Sequence, residues 1–329
     1  MYLNRGEKKQ EIKTKNKKRF IKYVSLSFVL VFLILLIGFS YEKLGEYKDE
    51  KTYFPVGQMV LVNNHKINVF SEGEGNKTVV FCSGHEGPSS YADFYPLYNK
   101  ISKYAKTVTY DRPGHGWSEI TDTPRDIDSI VKEMHDALEE SGQKAPYILV
   151  CHSYASLQGI RFAQMYRNEV SGIVLIDGGN PEFYAENGLD IPKSTEYKYK
   201  FLKSVGIARL VFNHTNYYSK NLNLLPDNLK QTYLAMMLKI MYNKNIIDEG
   251  KLAESNAKTV LENDNLGNLP IKILTNADDD DVWNNSQLAL KAWSTNSEQI
   301  LVNGAGHTIY HTQPDVINKE ILKLIENQK

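Results

Sequence analysis

Short apolar runs alternate with amphipathic stretches from about residue 56 to the end of the chain. The runs are rich in β-branched residues and the stretches repeat their apolar positions at helical spacing, which predicts strands alternating with helices. The predicted strands are 59–62, 67–70, 78–84, 107–111, 147–151, 172–177, 271–275 and 299–302, and the predicted helices include 91–103, 125–141 and 155–167. Asn63 and Asn64 predict a hairpin turn between the first two strands. This alternation predicts an α/β fold with a mostly parallel central sheet and helices on both faces.

A segment of different character interrupts the alternation at 181–269. It is rich in Tyr, Asn, Lys and Leu, and its apolar residues recur at helical spacing, as at Phe201, Val205 and Ile207. An insertion of this kind between two core strands predicts a helical cap, with 45–180 and 270–329 forming the core. Its Met and aromatic residues suit either packing onto the core or the wall of a substrate pocket.

The N-terminal part carries a third pattern, an uncharged apolar run at 24–39 that Tyr23, Tyr41 and Leu44 extend. Nine Lys and Arg residues precede it within 1–22, against two Glu. The run is longer than a typical signal-peptide core and approaches the ~20 residues of a membrane span. Basic residues before a span favour a cytoplasmic N-terminus. We therefore expect a cytoplasmic tail at 1–22, a transmembrane anchor at 23–44 that contacts the lipid bilayer, and an extracytoplasmic body; a cleaved signal and a secreted body is the alternative.

Charge limits the partners of the body. The whole chain has 39 basic and 39 acidic residues, so the part after residue 22 has 30 basic and 37 acidic residues, about −7. An acidic body gives no electrostatic reason to bind nucleic acid. Cys82 and Cys151 both lie in apolar strand-like runs, where buried thiols are expected more than a disulfide. No Cys/His spacing of the structural-zinc kind occurs.

The most informative local motif is Leu149-Val-Cys-His-Ser-Tyr-Ala-Ser-Leu157, which places Ser153 between a predicted strand and a predicted helix. Such a junction can form a nucleophile elbow, a sharp turn that exposes the serine hydroxyl above the sheet and requires small residues two positions before and after it. Here those residues are Cys151 and Ala155. A serine that merely caps the following helix is the alternative.

These patterns resemble the α/β-hydrolase superfamily over nearly all of the chain from residue 56. Tyr110-Asp-Arg-Pro-Gly-His-Gly-Trp-Ser-Glu119 is similar to the Asp-x-x-Gly-x-Gly-x-Ser loop of that family, and residues 78–87 resemble its oxyanion-hole strand and loop, with Ser83 where histidine is usual. Cysteine at position 151 departs from the family's Gly-x-Ser-x-Gly. The likeness is closest to membrane-anchored or secreted bacterial hydrolases with a short helical cap.

The resemblance implies a catalytic histidine after the last strand and an acid after a late strand. Asn303-Gly-Ala-Gly-His307 follows the last predicted strand, so His307 is the expected base. Four aspartates at 278–281 follow the preceding strand, and Asp279 fits the family's Gly-x-x-Asp spacing best, with Asn276 at the glycine position. The alternatives for the acid are Asp278, Asp280, the less favoured Asp281, and Asp177 one strand earlier.

The family mechanism gives each of these residues a role. Ser153 would attack a carbonyl carbon, His307 would take its proton, and the aspartate would orient the imidazole. The backbone N–H groups of Tyr154 and His85 would form the oxyanion hole. This chemistry requires neither cofactor nor metal.

The resulting expectation is a carboxylesterase-like serine hydrolase that cleaves an ester or amide of a small acyl substrate through an acyl-enzyme. A peptidase, lactonase or haloperoxidase-type relative is an alternative, because the fold does not determine the substrate. A catalytically silent binding or sensing protein on the same scaffold is another, suggested by Cys151 and by Ser83.

Overall fold

The structure is a computed structural model that describes residues 5–189, 192–214 and 222–326. Its strands are β1 (Gln58–Val62), β2 (His65–Glu72), β3 (Thr78–Cys82), β4 (Lys106–Tyr110), β5 (Tyr147–His152), β6 (Val170–Ile176), β7 (Ile271–Asn276) and β8 (Ser297–Val302). Its helices before β6 are α1 (Arg5–Thr52), α2 (Ser90–Asp93), α3 (Tyr95–Ile101), α4 (Ile127–Glu140) and α5 (Ala155–Met165). Its later helices are α6 (Pro181–Asn187), α7 (Lys193–Ser204), α8 (Ile207–His214), α9 (Asp227–Ile240), α10 (Lys244–Lys251), α11 (Ala253–Leu261), α12 (Asp281–Ala289), α13 (Ile309–Thr312) and α14 (Pro314–Glu326).

The eight strands form one sheet in the order β1-β2-β4-β3-β5-β6-β7-β8. β2 is antiparallel to both β1 and β4, and every other neighbouring pair is parallel. Asn63 and Asn64 join β1 to β2 with positive φ angles of 46° and 65°, which short polar side chains tolerate. The predicted mostly parallel sheet and its leading hairpin are therefore confirmed.

Helices cover both faces of the sheet. The central strands are apolar on both faces, so each face must pack against helices. Every residue of β3 and β5 is buried, as expected for parallel strands packed on both sides. One apolar cluster packs α4, α5 and α11 against one face, and a second packs α3 and α14 against the other. Since parallel strands share a direction, the loops after β3, β5, β6, β7 and β8 meet at one edge of the sheet.

The helices α6 to α11 all lie between β6 and β7. They occupy the segment in which the sequence predicts a cap, although the predicted domain limits remain predictions. The predicted helix at 91–103 is instead two helices, α2 and α3, which meet at Phe94. Pro96 at the start of α3 lacks the N–H that a continuous helix would use.

The N-terminal helix α1 is longer than the predicted anchor. It is one helix from Arg5 to Thr52, so it includes part of the tail assigned to 1–22 and residues 45–52 assigned to the core. It is long and apolar enough to cross a membrane, with a mean hydropathy of 2.6 over its most apolar window. The side chains of that window lie exposed, whereas the end of α1 packs on α7 and α8. A signal sequence near the N-terminus can contain an apolar segment of the same kind.

Candidate active site

Ser153 occupies a strained turn between β5 and α5. Its φ is +51°, in the left-handed region that side chains other than glycine rarely adopt, and its N–H donates to Ile176 O on the neighbouring strand at 3.1 Å. Helix α5 begins two residues later at Ala155. The chain therefore reverses sharply at Ser153, as a nucleophile elbow requires.

The departure of the elbow from Gly-x-Ser-x-Gly is compensated within α5. A Cβ atom placed on Gly159 would lie 2.5 Å from Cys151 Sγ, so the thiol fills space that the glycine leaves empty. Cys151 lies beside Cys82 on β3, and both thiols are free and buried, as the sequence predicts. Contact with Cys82 and burial raise the pKa of the Cys151 thiol, which keeps it protonated.

His307 pairs with Asp177, which lies at the carboxyl end of β6. The distance from His307 Nδ1 to Asp177 Oδ2 is 2.6 Å, and Asn276 N–H donates to Asp177 Oδ1 at 3.2 Å. The Asp177 side chain is fully buried, whereas that of His307 is 47% exposed. Because the carboxylate accepts, Nδ1 carries the proton and the other ring nitrogen, Nε2, is left as a base.

This pairing corrects the ranking of the acids, in which Asp279 came before Asp177. Asp279 lies beside Asp177, and burial together with the charge of Asp177 raises its pKa. Of its neighbours, Asp278 accepts from Gly304 N–H and Asp280 caps α12 through Trp283 N–H at 2.8 Å. The loops after β6 and β7 end at the same edge of the sheet, so residue spacing alone did not distinguish their carboxylates. Asp281 lies in the first turn of α12.

The loop that carries the predicted oxyanion donor His85 lies against the elbow. A Cβ atom on Gly84 would lie 3.2 Å from Ser153 Cβ, so the loop after β3 runs directly against the serine. Among the described residues, the amide N–H groups of His85 and Tyr154 have no protein acceptor. Both amide groups therefore stay predicted donors of the oxyanion hole.

Ser153 and His307 line one cavity of about 380 Å³, together with Gly84 and His85 of the oxyanion loop. Within the described ranges no hydrogen bond joins Ser153 Oγ to His307; the serine hydroxyl lies against that of Tyr184 instead. Catalytic hydrogen bonds are often long before substrate binds. The arrangement brings a hydroxyl, an imidazole and a buried carboxylate to one opening.

Two other histidines support this geometry. His152 Nε2 lies 3.1 Å from His307 O, and burial holds the pKa of His152 well below its usual value, so a neutral ring donates to that carbonyl. His115 Nε2 lies 2.8 Å from His85 O and donates to it, and burial lowers the pKa of His115 to about 3. Both rings hold backbone near the cavity, and His152 also lines it.

Arg112 and Glu249 are supporting residues that the sequence analysis did not identify. The Arg112 guanidinium donates to Ser83 O, to Gly84 O at 3.0 Å and to Glu249 Oε2 at 3.2 Å. Arg112 lies in the recognised 110–119 motif, so its position after Asp111 was an available signal. Glu249 lies on cap helix α10, and no local pattern marks it.

Comparison with known proteins agrees with this architecture. The family model for the alpha/beta hydrolase fold matches residues 77–314. The uncharacterised protein YbdG of Bacillus subtilis (strain 168) is 30% identical over 309 residues, which cover 91% of this chain and 94% of that protein. YqjL of the same organism is 23% identical and covers 83% of this chain and 90% of its own.

Solved structures share the fold at low identity. The epoxide hydrolase CorEH has a TM-score of 0.59 at 14% identity, over 83% of this chain and 99% of its own. The meta-cleavage product hydrolase CumD from Pseudomonas fluorescens IP01 has a TM-score of 0.58 at 16% identity, and the match covers 84% of this chain and 99% of CumD. With the family model covering most of the chain, this protein belongs to the alpha/beta hydrolase fold family.

Proposed function

We propose that the protein is a serine hydrolase that cleaves an ester bond, with Ser153 as nucleophile, His307 as base and Asp177 as the orienting acid. The observation that carries the proposal is the strained Ser153 sharing a cavity with an imidazole whose Nδ1 contacts a buried carboxylate at 2.6 Å. Amides and lactones are the alternative substrates, because a serine nucleophile attacks the carbonyl carbon of an ester, an amide or a lactone in the same way.

The reaction begins when His307 Nε2 takes the Ser153 hydroxyl proton as Oγ attacks the carbonyl carbon. Asp177 stabilises the imidazolium that forms and keeps its own negative charge. The imidazolium then gives its proton to the leaving alcohol as the tetrahedral intermediate collapses to an acyl-enzyme. Water, deprotonated by the same nitrogen, attacks the acyl carbon and releases the acid and free Ser153.

The negative charge on the tetrahedral oxygen needs donors that are already in place. The amide N–H groups of Tyr154 and His85 supply two, and neither is engaged elsewhere in the part of the chain that the structure describes. Removing one such donor in other hydrolases costs on the order of 100-fold to 1000-fold in turnover.

The experiment that tests the proposal is labelling of the full chain with a fluorophosphonate probe. We expect wild type to be labelled and Ser153→Ala to be unlabelled at unchanged thermal stability. Ser156→Ala is the matched control, because its buried hydroxyl has no hydrogen-bond partner among the described residues and should leave labelling intact. Labelling of Ser153→Ala would reveal a different nucleophile.

Hydrolysis of p-nitrophenyl esters and aminoacyl arylamides then separates the substrate classes. Faster ester cleavage supports the esterase, and faster arylamide cleavage indicates a peptidase-like activity. Absence of both activities and of probe labelling would favour the silent binding protein on this scaffold.

The proposal includes a location, in which α1 stays attached as an anchor and the body lies outside the cytoplasm. The supporting observations are the apolar window of α1, its exposed side chains and the basic residues that precede it. After a carbonate wash, we expect the full-length chain in the membrane pellet. A shortened body released into the medium would mean that α1 is a cleaved signal.

A further inference from the structure

Helix α8 in the cap is apolar on both of its faces. Ala208 and Phe212 are buried against Leu238 of α9, as in an ordinary amphipathic helix. The opposite face exposes Ile207, Leu210 and Val211, where a helix facing water would carry polar side chains. A contiguous apolar surface of this kind marks a contact with another apolar phase.

Helix α7, which precedes α8, combines exposed aromatic and basic residues. Tyr197 and Phe201 are exposed, and Lys193, Lys198 and Lys200 lie on the same short helix. Aromatic rings beside lysines are typical of helices at the boundary between lipid headgroups and acyl chains. We call the exposed side chains of Tyr197, Phe201, Ile207, Leu210 and Val211 the cap corner.

The cap corner is fixed to α1 by close backbone contact and by ion pairs. A Cβ atom on Gly38 would lie 2.2 Å from Val205 O, so only glycine permits this approach. Arg209 of α8 pairs with Glu42 at 2.9 Å and with Asp49 at 2.7 Å. Arg209 and Glu42 are both buried, so loss of Arg209 would leave the Glu42 charge buried without its partner.

The height of this contact along α1 sets the position of the cap corner relative to a bilayer. The apolar run at 24–39 covers about 24 Å at ~1.5 Å per residue. The charged Lys22 before the run marks the inner limit of a ~30 Å hydrocarbon layer, so the layer extends past Phe39 on the outer side. Gly38 contacts the turn between α7 and α8 inside this limit. The exposed residues on either side of that turn consequently lie at the outer surface of the layer.

A second cavity in the cap adjoins the cavity that holds the serine. Tyr199 of α7 lines this second cavity of about 160 Å³ with Met237, Met241 and Ile246 of the cap. Glu86, in the loop after β3, lines both this cavity and the one that holds Ser153 and His307. The two cavities are therefore neighbours, and the methionines and the isoleucine give the smaller one an apolar wall on its cap side.

From these contacts we infer that the cap corner lies in the outer leaflet of the bilayer and that the enzyme takes a long-chain acyl ester from it. The inference rests on the proposed function for the ester chemistry and on a retained α1 for the placement. A second copy of this chain, or another membrane protein, is the competing occupant of the same surface, and the first experiment separates these from lipid.

The first experiment measures the contact without catalysis. The full chain is placed in lipid nanodiscs, Leu210→Cys is labelled with a fluorophore, and quenching by lipids with a doxyl group near the headgroup is recorded. Leu288→Cys on α12 is the matched control, because both leucines lie on helices and are 52% exposed. Cys82 and Cys151 are buried and should not react.

We expect strong quenching at position 210 and little at position 288. Equal quenching at both positions overturns the inference, as does loss of α1 from the mature chain. Weak quenching at 210 together with energy transfer between labelled copies would identify a second copy as the occupant, and the lipid contact would then be rejected. None of these outcomes depends on whether Ser153 is catalytic.

The second experiment tests the substrate class. Phe201→Ser and Leu210→Ser are each expected to lower hydrolysis of a long-chain glycerol ester in anionic vesicles about tenfold, since each loses apolar area in contact with lipid. Hydrolysis of soluble p-nitrophenyl butyrate should change less than about twofold, and Leu288→Ser should affect neither substrate. Equal effects of Leu210→Ser and Leu288→Ser on the vesicle substrate would overturn the inference. If wild type cleaves neither ester and takes no fluorophosphonate, the proposed function fails instead.

Discussion

At the scale of single residues, the candidate site contains two neighbouring carboxylates, Asp177 and Asp279, which differ in their relation to His307. Asp177 contacts the imidazole of His307, whereas Asp279 lies beside Asp177, and burial and the charge of Asp177 raise the pKa of Asp279. Among the described residues, no hydrogen bond joins Asp279 to His307. The two residues therefore have different expected effects on the reaction.

We expect Asp177→Asn to lower kcat about 10⁴-fold, because an amide at that position favours the wrong imidazole tautomer. Asp279→Asn should cost less than about tenfold, since it leaves the contact between Asp177 and His307 in place. The measurement is ester hydrolysis by both variants after circular dichroism has shown equal folding. A larger loss in Asp279→Asn than in Asp177→Asn would contradict the assignment of the acid.

The unusual cysteine in the elbow gives a second prediction at this scale. Gly159→Ala should destabilise the protein by about 1–3 kcal/mol, because the new methyl group would overlap Cys151 Sγ at 2.5 Å. Cys151→Ala removes the sulfur, so the double variant should recover most of the loss. Urea unfolding of the two single variants and the double variant measures the coupling. Additive losses would show that the two positions do not share this space.

The same residues show what sequence could supply. Ser153 and His307 were identifiable because each lies in a motif of a few neighbouring residues that also includes the end of a strand. The choice of acid depended on which of two loops places its carboxylate against His307. That placement is a property of the tertiary structure and not of the local sequence. Glu249 contacts Arg112 only because helix α10 of the cap packs there, and no local sequence pattern predicts this contact.

At the scale of elements, helix α10 of the cap supports the oxyanion loop through Arg112. Glu249 is buried at the guanidinium, whose positive charge lowers the pKa of that carboxyl to about 2 despite the cost of burial. The other N–H groups of Arg112 hold the carbonyls of Ser83 and Gly84. Helix α10 and the loop after β3 are therefore joined by this charged pair and by the His85 ring, whose Nε2 lies 2.7 Å from Ile246 O.

We expect Glu249→Gln to destabilise the fold by about 3–5 kcal/mol, because it leaves a buried guanidinium without its counter-charge. In the folded fraction, kcat should fall more than KM rises, since the oxyanion donor at His85 loses its fixed position. Glu254→Gln on the next helix is the control, because Glu254 is exposed and pairs only with Lys258 among its described neighbours. A pure rise in KM would indicate that Glu249 acts on substrate binding instead.

The existence and order of elements were easier to predict than their ends. All eight strands were expected near their observed positions, because buried parallel strands are short β-branched runs between helices. The prediction of one helix at 91–103 was wrong at Phe94, where α2 ends, and at Pro96, which lies in the first turn of α3. The helical spacing of apolar residues continues across the break between α2 and α3, so this spacing does not show where one helix ends and the next begins.

At the scale of the whole molecule, the helix α1 exceeds its predicted limits at both ends. The polar residues on either side of the apolar run are also helical. After the run, Glu42 and Asp49 form ion pairs with Arg209 of the cap. Before it, a lysine-rich stretch continues the helix back to Arg5. Hydropathy identifies the apolar run alone, which explains why the predicted span was limited to 23–44. The contact with the cap makes the end of α1 part of the body.

Stability against acid is a property of the whole molecule that the buried histidines control. Burial lowers the pKa of His115 to about 3 and that of His152 well below its usual value, so both rings stay neutral when folded. In the unfolded chain each ring binds a proton near pH 6.5. The unfolded state therefore binds more protons as the pH falls below about 6.5, and the free energy of unfolding decreases.

Each of these rings should remove about 1.4 kcal/mol of stability per pH unit below 6.5, with the loss from His115 continuing down to pH 3. Between pH 6 and 5, His115→Asn should reduce this slope by about half, because the His152 contribution remains. Glu249 does not interfere in that range, since its lowered pKa costs stability only below about pH 4.5. Urea midpoints of wild type, His115→Asn and the exposed control His214→Asn at pH 7, 6 and 5 measure the effect. A slope for His115→Asn equal to that of wild type would mean that the buried ring gains its proton without unfolding, and that its contact with the oxyanion loop survives the charge.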